Sequence, residues 1–118
     1  MARQPELSEL QLAAAYAAVV ASAWTDKSAD FTVSTGNYRV TLSSVDVTAT
    51  LPTSPADGEP HEFFLRPGAT HTLTLDAGSG KTIEKLDGTG YSQTLALTVA
   101  GSRYRVVYDL ANTRWDLG

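Results

Sequence analysis

From residue 30 to the C-terminus, the apolar residues of this chain recur at every second position, in short runs broken by glycine, proline and polar clusters. Such a period places alternate side chains on opposite faces of an extended backbone, so each run is a strand with one face to bury. Phe31 and Val33 open the first strand. Gly36-Asn37 then turns the chain into Tyr38, Val40 and Leu42, which alternate with Arg39 and Thr41. Past Ser43-Ser44 the inward set moves to the odd positions Val45, Val47, Ala49 and Leu51, which requires a bulge or a hairpin at the two serines. Residues 52–60 carry three prolines and Asp57-Gly58 without an apolar run, and read as a surface loop.

The segment from His61 to Arg66 closes at Pro67-Gly68, and residues 70–76 alternate cleanly through Leu73 and Leu75. A glycine-rich stretch, residues 77–90, holds only the short Thr82-Ile83 segment. Strands over residues 94–99 and 104–109 and a last one with Trp115 and Leu117 complete the set. About seven or eight short strands spaced about ten residues apart predict a mainly β fold, an antiparallel β-sandwich of jelly-roll type, over residues 30–118.

Before residue 26 the period is helical. Pro5 suits a first helical turn, and Glu6 and Glu9 complement the positive end of the dipole, so one N-terminal α-helix is expected from about Pro5 to Trp24. Leu7, Leu10, Ala14, Ala17, Ala21 and Trp24 are separated by 3, 4, 3, 4 and 3 residues, the spacing of a coiled-coil seam. Leu12, Tyr16, Val19, Val20 and Ala23 widen the apolar surface beyond what a helix lying on a single domain buries. The helix thus reads as an oligomerisation or anchoring element spanning residues 1–26. Packing across one end of its own β domain is the alternative. Residues 25–30 are a polar junction.

Composition narrows the function classes. With 9 basic against 13 acidic side chains the net charge is −4, which gives no long-range attraction to phosphate backbones or anionic lipid; nucleic acid is not an expected partner. The absence of cysteine removes disulfides, thiolate catalysis and thiolate metal sites together. Leu10 to Val20, followed by Ala21-Ser22-Ala23, imitates a signal peptide, but Glu6 and Glu9 stand where positive charge belongs. That stretch is also shorter than the roughly 20 residues of a membrane span and contains Gln11. No membrane association is expected.

Candidate motifs resolve toward turns. Gly78-Ser79-Gly80-Lys81-Thr82 imitates a phosphate-binding loop, yet Leu75 stands where its first glycine belongs, and a strand follows in place of a helix. His61 and His71 are the only histidines, each at a strand start without a defined carboxylate partner, and read as surface residues. Asp57, Glu59 and Glu62 lack the spacing of a calcium loop. No serine lies in a nucleophile elbow, so neither a catalytic site nor a metal or cofactor is expected. Tyr91, Tyr104 and Trp115 are candidate sugar-stacking aromatics, since a ring face offers apolar contact while its polar edge stays wet; core and interface packing is the competing role.

The order of these pieces over Tyr38 to Gly118 resembles a β-sandwich module of bacteriophage tail fibres, head fibres and related virion appendages. The resemblance rests on Leu51-Pro52, the strand His61 to Arg66, the Leu73-Thr74-Leu75-Asp76 strand with its glycine-rich continuation, Asp87-Gly88, Val106-Val107-Tyr108-Asp109 and the terminal Trp115. Where fibre modules tend to show Asp-Gly-Thr-Asn-Trp, this chain has the longer Asp109-Leu110-Ala111-Asn112-Thr113-Arg114-Trp115. The resemblance implies a structural virion protein that assembles as a homotrimer. The short chain, its start at Met1 and its single module lean toward a capsid-decoration or head-fibre protein seated on the major capsid protein. A tail-fibre module that binds host surface glycan is the second expectation.

Overall fold

The computed structural model describes residues 24–118. The expected helix seam at Leu7, Leu10, Ala14, Ala17 and Ala21 lies outside the described residues. Trp24 lies inside them and departs from expectation: it opens a strand, β1 (Trp24–Lys27), so the turn that ends the N-terminal segment is Ser28-Ala29-Asp30 and not the whole of residues 25–30.

Ten further strands follow. They are β2 (Phe31–Thr32), β3 (Asn37–Val40), β4 (Val47–Thr50), β5 (Pro60–Leu65), β6 (Leu73–Asp76), β7 (Thr82–Glu84), β8 (Tyr91–Ser92), β9 (Thr94–Leu97), β10 (Arg103–Asp109) and β11 (Arg114–Leu117). They form two sheets, one in the order β1-β3-β5-β10-β11-β7-β8 and the other β2-β4-β6-β9. The fold is mainly β and two-layered, as the alternation predicts.

The pairing is mixed, which corrects the antiparallel expectation. β1, β3 and β5 are parallel neighbours in the larger sheet, β2, β4 and β6 in the smaller. Consecutive strands from β1 to β7 alternate between the two sheets. Parallel neighbours need a connection that carries the chain back to its starting end. Here the strand of the opposite sheet is that connection, in the place a helix takes in α/β folds. Antiparallel pairs appear where β10 meets β5 and β11, where β9 meets β6, and where β8 meets β7. Ser43-Ser44 is consequently neither a bulge nor a hairpin: it lies in the passage from β3 in one sheet to β4 in the other.

Most inward positions are those the period of two selects. Val33, Val40, Leu42, Val47, Ala49, Leu51, Phe63, Leu65, Leu73, Leu75, Ile83, Leu97, Val106 and Trp115 form one buried cluster between the sheets. Val45 breaks the pattern at 50% exposure, because the passage between sheets carries it past the edge of the core. His61, expected at the surface, is 2% exposed. Its partner is provided by the tight turn at Gly36, whose φ of +79° suits glycine and whose carbonyl oxygen lies 2.8 Å from His61 Nδ1.

Candidate functional site

The two outer faces differ in chemistry. The smaller sheet presents Thr32, Thr48, Thr50, Thr74 and Thr94, whereas the larger carries Arg39, Arg66, Arg103, Arg105 and Arg114. Strand register explains the gathering of guanidinium groups. Asp26 of β1 pairs with Arg39 of β3, Arg39 with Phe64 of β5, and Phe64 with Arg103 of β10, so four neighbouring strands place these residues in one row. Arg39 lies between buried Tyr38 and Val40, and Phe64 between buried Phe63 and Leu65, which turns both outward. Trp24 stands two positions before Asp26 and joins the same face.

Together Trp24, Arg39, Phe64, Arg66 and Arg103 line a cleft of about 250 Å³. The Arg103 guanidinium stacks over both rings, its carbon 5.6 Å from the Trp24 centroid and 5.3 Å from that of Phe64. Each such contact is worth about 0.5–1 kcal/mol at an exposed site. A guanidinium in this position can present its N–H fork to a planar anion. Asp26 Oδ1 accepts from Arg66 Nη2 at 2.8 Å and lies 3.0 Å from Arg39 Nε. The Arg39 Nε atom is itself buried and makes no hydrogen bond among the described residues, so the ion pair with Asp26 is electrostatic and poorly aligned. The Arg66 hydrogen bond, with Arg39 beside it, holds the Asp26 carboxyl below the usual carboxylate range. Two guanidinium groups, those of Arg39 and Arg66, therefore share one carboxylate.

The three expected stacking aromatics are not brought together. Trp115 is fully buried, tilted against Tyr108 at 5.0 Å and His61 at 5.8 Å, and has no accessible face for a sugar. The reason is register: β11 pairs with both β10 and β7, which makes it an interior strand of its sheet. Tyr104 shares the inward side of β10 with Val106 and Tyr108 and packs half-buried on the core. Tyr91 remains exposed, but its ring lies under the Arg114 guanidinium at 4.6 Å. Its hydroxyl donates to Asp116 Oδ1 at 2.9 Å, and that bond raises its pKa above the ordinary tyrosine value.

The cleft residues other than Trp24 were not singled out from the sequence, although one signal was present. Phe63-Phe64 are consecutive within a strand, and a period of two forces one of them onto the outer face.

The carboxylates hold loops. Asp30 accepts the Thr48 N–H, Asp46 that of Thr72, Asp57 that of Leu110 and Asp76 that of Gly78; Glu84 accepts from Leu117. Among the described residues, no group of three or more His, Asp or Glu is placed to hold a metal ion, and no helix is long and apolar enough to cross a membrane. In the Gly78 to Thr82 segment, Gly78 and Gly80 adopt φ of +83° and +79° in a turn that leads into β7. No protein-family model and no curated protein matches the chain.

Proposed function

We propose that this protein works by assembly, as a non-catalytic structural component of a bacteriophage virion of the capsid-decoration or head-fibre kind. The reading is supported by the run of strand and turn motifs from Tyr38 to Trp115 and by the heptad stripe that precedes Trp24. One observation carries it: the chain joins the sandwich through β1, an edge strand whose first residue, Trp24, pairs with the first residue of β3, Asn37. The apolar stripe read from the sequence thus leads into one edge of the larger sheet. Loops held by carboxylates that accept backbone N–H groups suit a rigid body that presents surfaces to neighbours.

The expected partners are further copies of the chain, as a homotrimer, and the major capsid protein. Light scattering on the full chain and on residues 24–118 tests this reading, with a trimer expected for the first and a monomer for the second. If both are monomeric and the full chain also fails to sediment with undecorated capsids, the reading is wrong.

A second reading, recognition of a host surface glycan by a tail-fibre type of module, is favoured by the Trp24–Phe64 cleft and its stacked Arg103.

A further inference from the structure

We propose that the cleft on the outer face of the larger sheet binds the carboxylate of an acidic sugar, a uronate residue, with Arg103 as its principal anchor. The inference rests on the glycan-recognition reading and is independent of the assembly reading.

Charge is the first argument. The chain carries a net charge of −4, yet three arginines, Arg39, Arg66 and Arg103, and no carboxylate are among the residues that line the cleft. Asp26 is engaged by Arg39 and Arg66, and among the described residues Arg103 has no carboxylate within ion-pair distance. A guanidinium stacked on aromatic rings is less hydrated than an ammonium, and its fork matches the two oxygens of a carboxylate.

Shape is the second argument. Trp24 and Phe64 add apolar ring surface beside the charge, so the favoured ligand couples an anion to an apolar face. A uronate pyranose does so within one ring, its carboxylate attached next to its C–H face. Inorganic phosphate would use the guanidinium groups and leave the rings idle, and a glutamate side chain ends in a carboxylate with no ring face. The cleft's 250 Å³ is below the roughly 300–1,000 Å³ typical of drug-sized sites, consistent with one sugar unit of a longer chain.

The test uses the full chain, with trigalacturonate, neutral galactotriose and an oligoglutamate peptide as probes. Because Trp115 is fully buried, a ligand-dependent change in tryptophan emission reports Trp24, and amide NMR shifts locate the site. Trigalacturonate is expected to shift Trp24 emission and the amides of residues 24, 39, 64 and 103, and to bind at least about tenfold more tightly than galactotriose. Arg103→Ala and Arg103→Lys are both expected to weaken it by about tenfold or more while the amide spectrum stays dispersed and folded, since lysine keeps the charge but loses the fork.

Equal binding of galactotriose would overturn the acidic-sugar inference while leaving glycan recognition standing. Tighter binding of oligoglutamate, or NMR shifts away from the cleft, would overturn the inference. No response to either sugar up to about 10 mM would remove the glycan reading with it.

Discussion

The imidazole Nε2 of His61 lies 2.7 Å from Oε2 of Glu59, while the opposite ring nitrogen faces the carbonyl oxygen of Gly36. The carbonyl can only accept, so Nδ1 carries a hydrogen, and another hydrogen must lie between Nε2 and Glu59. Two polar partners satisfy a ring that is otherwise enclosed against Trp115. Glu59→Ala removes one of them and also the acceptor of the Ala56 N–H, and is expected to cost about 1–3 kcal/mol in urea denaturation. Glu59→Gln retains an acceptor and should lose less. Equal loss for the two variants would mean that packing, and not hydrogen bonding, fixes this corner.

Among the described residues, Trp115 is the largest fully buried side chain and its indole Nε1 has no hydrogen-bond partner. Trp115→Ala is expected to lose about 3–5 kcal/mol of stability. Trp115→Phe keeps an aromatic ring beside Tyr108 and removes an unpartnered N–H, whose burial is costly, so its loss should be less than half that of the alanine variant. Denaturation midpoints of the two variants measured together check the ordering.

Thr113, in the turn between β10 and β11, has a φ of +54°, a conformation disfavoured for a β-branched residue. The Asp109 carboxylate holds the turn by accepting both the backbone N–H and the side-chain amide of Asn112, the latter at 2.7 Å. Thr113→Gly should relieve the strain and stabilise the domain by about 0.5–1 kcal/mol after the entropy of glycine is set against it. A destabilised glycine variant would show that the threonine side chain contributes more than the strain costs.

Asp26 gives a pH signature. Its carboxyl is held below the usual value in the folded protein, so its contribution is fully present above the ordinary carboxylate pKa of about 3.9 and is lost as pH falls through the lower folded value. Protonation would leave Arg39 and Arg66 facing each other without a counter-charge. An NMR pH titration should place the Asp26 side chain below about 3.9, with the amides of Arg39 and Arg66 moving in step. Titration at or above that value would contradict the bridged geometry.

Much of the interior was legible residue by residue. Val40, Ala49, Leu51, Phe63, Leu65, Leu73, Leu75 and Leu97 are inward because a strand separates odd from even positions, and that separation is a property of the local backbone. The turns at Gly36, Gly68 and Gly88 were legible for a similar reason, since a left-handed φ favours glycine. His61 was misread because its partners lie on the β2–β3 turn and at Glu59, and the first of these is 25 residues away in sequence.

The sequence by itself determined which side chains of each strand face inward, because the period of two and the turn residues are local. Tertiary structure alone decided the direction of pairing and the passage of the chain from one sheet to the other, since both depend on hydrogen bonds between segments whose own patterns are indifferent to orientation. It also decided the cleft: Asp26, Arg39, Phe64 and Arg103 come from four strands widely spaced along the chain, and only their shared register makes them neighbours.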